Sequence, residues 1–169
     1  MSGVLRAANA VAFPLVLVLN GLAGSGALSG RSIGEIANAY PSYFLPANYV
    51  FGIWSFIYLG LAIFCVYQLR PVWQDGDATE RVGYLWVGNA ALNTAWLSAF
   101  SFERYLTAWL LMIGLLLNLI WVHERVGTGT RTLPVRDRFL VAAPFNVYLA
   151  WISVVPCPAR SWSGAAGTG

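Results

Sequence analysis

The chain has 169 residues, of which 58% are hydrophobic, 15% aromatic and only 10% charged. Soluble proteins average about 25% charged residues, and their exposed helix faces must meet water every few positions, so this composition excludes an ordinary soluble domain. The net charge of +3 is no nucleic-acid footprint either, because Arg is mixed with Asp and Glu in short connections and builds no basic face.

All 10 basic and 7 acidic side chains fall outside five apolar stretches, 7–28, 49–69, 82–101, 105–122 and 139–155. Each is roughly 17 to 22 residues long, and a helix of about 20 residues spans a hydrocarbon core about 30 Å thick. The predicted fold class is therefore all-α, an integral membrane bundle of five transmembrane helices, with residues 1–155 forming one membrane domain.

The first stretch follows Arg6 and ends in the small residues 23–27. A cleaved signal peptide is the alternative reading, but an apolar run of about 22 residues exceeds the usual core of about 7 to 15. The connection 29–48 is the long one. Its segment Tyr40-Pro41-Ser42-Tyr43-Phe44-Leu45-Pro46 is too apolar for a simply solvated loop, and loops of this length are often lids or binding loops.

The second stretch carries Trp54 and Tyr58 at i and i+4, and Cys65 near its end. In the third, Asn89, Asn93 and Trp96 stand at i, i+4 and i+7, which places them on one helical face. An amide without a partner is costly in hydrocarbon, so this face should look into the bundle. Hydrogen bonding between helices accounts for the stripe without any ligand; a ligand site is the other reading. His123 closes the fourth stretch beside Glu124 and Arg125, where it is read as a side chain at a helix carboxyl end, since a second metal ligand is missing. The fifth stretch adds Asn146, Tyr148 and Trp151. After Val155, the segment 156–169 opens with Pro156 and Pro158 and continues in small residues; it has the composition of a disordered or out-of-frame tail.

Arginine distribution predicts the topology. Arg6, Arg70, Arg81, Arg125, Arg131, Arg136 and Arg138 share one side, against Arg31, Arg104 and Arg160 on the other, which puts the amino terminus in the cytoplasm by the positive-inside rule. Cys65 and Cys157 then lie at opposite faces and cannot form a bridge within one chain.

No Asp, Glu, Lys, Arg or His falls within the five stretches, so no catalytic residue, metal site or resident cofactor is expected there. At about 1.5 Å per residue, Trp54, Asn93, Trp96, Tyr148 and Trp151 all come to about 6 to 12 Å below the outer surface, directly under the long loop. An aromatic belt at the interface suits Trp73, Trp86, Trp109 and Trp121, which lie near helix ends, better than it suits Asn93 and Tyr148.

These residues resemble the TspO/MBR family, the translocator proteins or tryptophan-rich sensory proteins. Pro41, Tyr43 and Pro46 match the family's proline-aromatic loop, and Val50, Phe51 and Trp54 match the opening of its second helix. Asn89, Asn93 and Trp96 match the third-helix signature, while Pro144 and Tyr148 match a proline followed four residues later by an aromatic. The likeness covers 7–152. Tyr40 stands where the family usually has Lys, Leu45 where it has one proline of a pair, and Tyr148 where many members have Trp.

The resemblance implies a receptor or sensor that binds a flat apolar ligand, protoporphyrin or another tetrapyrrole, in a pocket under the first loop. Its expected ligand-binding residues are Pro41, Tyr43, Pro46, Trp54, Tyr58, Asn89, Asn93, Trp96, Pro144, Tyr148 and Trp151. The expected partners are the lipid bilayer, the small apolar ligand and a second copy in a homodimer, with no nucleic acid. A membrane enzyme promoting porphyrin degradation and a small-molecule transporter are the alternatives.

Overall fold

The computed structural model describes residues 3–38, 52–70 and 77–154. All regular elements among these are helices. The predicted loop residues Pro41, Tyr43 and Pro46, together with Trp73, Cys157 and the tail, lie outside the described residues.

Helix α1 spans Gly3–Gly24 and the short α2 spans Ile33–Asn38. Helix α3 follows at Ile53–Leu69, then a short α4 at Ala78–Val82, α5 at Leu85–Ser101 and α6 at Tyr105–Val126. The last helical run begins with α7, Val135–Asp137, passes through a π turn at Arg138–Ala142 and continues as α8, Ala143–Val154. Of these, α1 and α6 are long and apolar enough to cross a membrane, and α3 is apolar but shorter.

The first helix starts earlier than expected, at Gly3, the fourth runs on to Val126, and three further boundaries differ from expectation. The first helix ends at Gly24 rather than at Leu28, because the chain turns there and Gly26 takes φ +78°. The third begins at Leu85 rather than at Val82, since Gly83 breaks it at φ +46°, where a Cβ would stand 2.9 Å from the Glu80 carbonyl oxygen. The last begins at Val135, taking Arg136, Asp137 and Arg138 into its first turns.

The π turn has a local cause in Pro144. Proline has no N–H for the carbonyl four residues back, and its ring crowds that carbonyl. Just upstream the ladder widens, and the Ala143 N–H donates to the Arg138 carbonyl five residues earlier. Such widened turns are a common answer to a perturbed helix ladder.

The long helices close into a ring in which α1 packs on α3 and α5, α5 on α6, α6 on α8, and α8 on α3. One end, here the lower, holds the start of α1 and the end of α6; α2 sits at the upper end. The polarity of the bundle is inverted relative to a soluble protein. Val11, Val18, Phe56, Leu59, Leu110 and Leu117 are exposed on its outside, whereas Asn9, Gln68, Asn89, Asn93 and Asp137 are buried within. A surrounding hydrocarbon phase rewards that arrangement and water does not.

The lower half of the ring is filled by four buried aromatic rings. Phe64 and Phe145 meet edge to face at 5.0 Å, each lies 6.0 Å from Trp86, and Phe13 completes the group 6.4 Å from Trp86. Trp86 was expected in an interfacial belt, yet it is 1% exposed and its indole N–H donates to the Asn9 carbonyl at 3.0 Å. Position along a helix sets depth but not the direction a side chain faces, and Trp86 faces inward. Trp109 and Trp121 do face outward.

Candidate functional site

A second aromatic group fills the upper half, and Trp54 is its centre. Its ring stacks on Tyr58 at 5.6 Å and on Trp96 at 6.2 Å, and meets Tyr148 and Trp151 edge-on at 5.9 and 6.4 Å. Trp96 stacks in turn on Phe100 at 5.8 Å. The contacts between Trp54 on α3 and Trp96 on α5 run across the ring of helices rather than between neighbours. Trp54, Tyr58, Trp96 and Trp151 are only partly buried, unlike the rings below them.

Beneath these rings runs a chain of polar contacts linking four helices. The Tyr58 hydroxyl donates to Asn20 Oδ1 at 2.6 Å, and Asn20 Nδ2 donates to the Val16 carbonyl at 2.8 Å and to Asn93 Oδ1 at 3.3 Å. Asn93 Nδ2 donates to the Tyr148 hydroxyl at 2.8 Å. Each group leaves water or lipid with a partner in hand, which removes the penalty of burying it alone. The exception is the Trp151 indole N–H, which is buried and meets no acceptor among the described residues.

The structure thus brings Trp54, Asn93, Trp96, Tyr148 and Trp151 together, as their spacing suggested, and Tyr58 joins them. Asn89 lies one turn below and faces α6, where its Nδ2 donates to Asn118 Oδ1 at 3.2 Å. Pro144 packs against Gly60 of α3, where an added Cβ would lie 3.1 Å from the proline Cβ. That glycine permits α3 and α8 to approach each other. Asn146 turns to His123, with Oδ1 2.9 Å from Nδ1, so His123 bridges α6 and α8 and does more than sit at a helix end.

Asn20 was absent from the sequence-derived set. A lone Asn in an apolar run gives no spacing signal, and its partners lie on other helices. Two further inward polar groups were equally silent. Asn9 Nδ2 donates to Gln68 Oε1 at 3.0 Å and to the Gly83 carbonyl at 3.2 Å. The Tyr67 hydroxyl donates to Asp137 Oδ1 at 2.8 Å, while Asp137 Oδ2, on a residue 1% exposed, has no partner among the described residues.

At the upper end α2 is held in place from two directions. Ser32 and Glu35 form a reciprocal capping box: the Ser32 N–H donates to Glu35 Oε2 at 2.7 Å and the Glu35 N–H to Ser32 Oγ at 3.2 Å. The donated N–H, then the Ser32 hydroxyl, hold the Glu35 carboxyl below its usual range. Arg31 reaches across to Glu103 at 2.8 Å, and the Tyr105 hydroxyl donates to the other Glu103 oxygen at 3.2 Å.

A family model described as TSPO-like protein matches residues 6–157. Comparison with curated proteins and with solved structures gives no match. Because the matched segment is nearly the whole chain, the chain belongs to the TSPO-like family, and with its apolar helices it is an integral membrane protein.

Proposed function

We propose that this TSPO-like chain is a membrane receptor or sensor that takes up a flat, largely apolar ligand, a porphyrin in the first instance, at the Trp54 group. The observation that carries this reading is the contrast in burial: four aromatic rings stand within 6.4 Å of Trp54, yet most of the group remains partly open while the lower rings are sealed. Flat ligands stack well on such faces, and small-molecule sites are mostly apolar with few polar anchors. Trp54 and Trp96 supply the stacking surfaces. Asn93 holds Tyr148 at the site's edge, and Pro41, Tyr43 and Pro46 of the first loop are proposed as further ligand contacts.

The same proposal has five membrane spans, with the final one comprising α7, the π turn and α8, and an amino terminus in the cytoplasm. A second copy is a further proposed partner, as in many relatives. The topology is checked with a membrane-impermeant maleimide: intact cells label at Cys157, and labelling that needs lysis inverts the orientation.

The ligand test is a titration of protoporphyrin into detergent-solubilised protein. Tryptophan fluorescence falls saturably, Trp54→Ala weakens binding by about tenfold, and Trp121→Ala on the outer surface leaves it unchanged. Loss of one stacked ring is worth about 0.5 to 1.5 kcal/mol beyond its area. Equal binding by all three folded proteins places the ligand elsewhere, and appearance of a porphyrin breakdown product makes the protein an enzyme rather than a sensor.

A further inference from the structure

The polar atoms of the upper site are almost all engaged with one another. Asn20, Tyr58, Asn93 and Tyr148 form a continuous chain of contacts from 2.6 to 3.3 Å, so a ligand reaching for any of them must first break a bond already made. Trp151 differs. Its indole N–H is buried, its ring stands edge-on to Trp54 at 6.4 Å, and no acceptor among the described residues meets it. An indole nitrogen is a donor only and carries one hydrogen. Buried indole N–H groups usually find a partner, and Trp86 in the lower half does so at the Asn9 carbonyl.

We infer that the Trp151 indole N–H is the polar anchor of this site and that it selects flat ligands bearing a hydrogen-bond acceptor, a carboxylate or carbonyl oxygen, on their rim. This rests on the receptor reading and narrows its ligand class. The Trp54 face gives stacking to any flat aromatic and so cannot discriminate rim chemistry. The unpaired donor beside it does, because an acceptor placed there gains a bond without displacing another, while an all-alkyl rim leaves the donor unsatisfied in a dry environment.

Two porphyrins separate these contributions: mesoporphyrin, with two carboxylates, and etioporphyrin, whose rim is wholly alkyl. Both are titrated into the full-length protein and into Trp151→Phe, which keeps an aromatic ring and removes the donor. The wild type binds mesoporphyrin about tenfold more tightly than etioporphyrin. Trp151→Phe loses about tenfold for mesoporphyrin and distinctly less for etioporphyrin, while an unchanged thermal unfolding temperature in detergent reports that the variant is folded. Equal affinity of the wild type for the two porphyrins overturns the inference, whatever the variant does. An equal loss for both in Trp151→Phe also overturns it, since the ring and not the N–H is then at work. If neither porphyrin binds the wild type, the receptor reading itself has failed.

Discussion

The two halves of the bundle use the same side-chain chemistry to opposite ends. Below, Phe13, Phe64, Trp86 and Phe145 interlock with less than a tenth of any ring exposed, and the one indole among them spends its N–H on a backbone carbonyl. Above, the rings stand about as close to Trp54, but all save Tyr148 stay partly open, and the Trp151 indole N–H has no acceptor among the described residues. Tryptophan content alone therefore says little about ligand binding. What distinguishes a packing tryptophan from a binding one is whether its faces and its donor are already satisfied.

That contrast breaks most readily at Trp86. Trp86→Ala empties the middle of the lower plug and should destabilise the protein by about 3 to 5 kcal/mol, read as a large fall in thermal unfolding temperature in detergent. The folded fraction should keep its porphyrin affinity. A mild effect on stability would mean that the lower half is not the rigid part.

A smaller loss is expected from Tyr67→Phe, which takes away the donor at Asp137 Oδ1 and leaves both oxygens of a buried carboxylate without a partner among the described residues. The expected cost is about 1.5 to 3 kcal/mol, and a further Asp137→Leu change should recover part of it by removing the stranded group. No recovery in the double variant would show that the carboxylate is satisfied in some other way. The smallest effect on stability should come from Trp54→Ala, about 1 kcal/mol, although it has the larger effect on ligand affinity. If Trp54→Ala instead destabilises as much as Trp86→Ala, the upper rings are a second core and the comparison collapses.

The apolar stretches were legible because a bilayer demands long runs without charge, and each of them contains a helix, of which α1 and α6 are long and apolar enough to cross a membrane. The shared depth of Trp54, Asn93, Trp96, Tyr148 and Trp151 was also legible, since depth follows from counting residues along alternately directed helices. Azimuth was not. Asn89 and Asn93 share one face by spacing, yet α5 turns that face between two neighbours, so Asn89 meets Asn118 and Asn93 meets Asn20 and Tyr148. Trp86 was placed outside for the same reason. Asp137 was hidden because hydrophobicity assigned its charged neighbourhood to a connection, whereas the helix begins before the apolar run does.

The π turn at Arg138–Ala142 gives the last helical run an angular offset. An α-helix advances about 100° per residue, so one extra residue in a turn re-aims everything beyond it by about that amount. Asp137 before the turn points to Tyr67, and Tyr148 after it points to Asn93. In an unbroken α-helix these two side chains, eleven positions apart in the sequence, would hold a different phase, and one of the two contacts would be lost. The proline at 144 thus acts like a fixed gear between the halves of the molecule, letting a single rod engage Tyr67 at its base and the upper aromatic group near its tip.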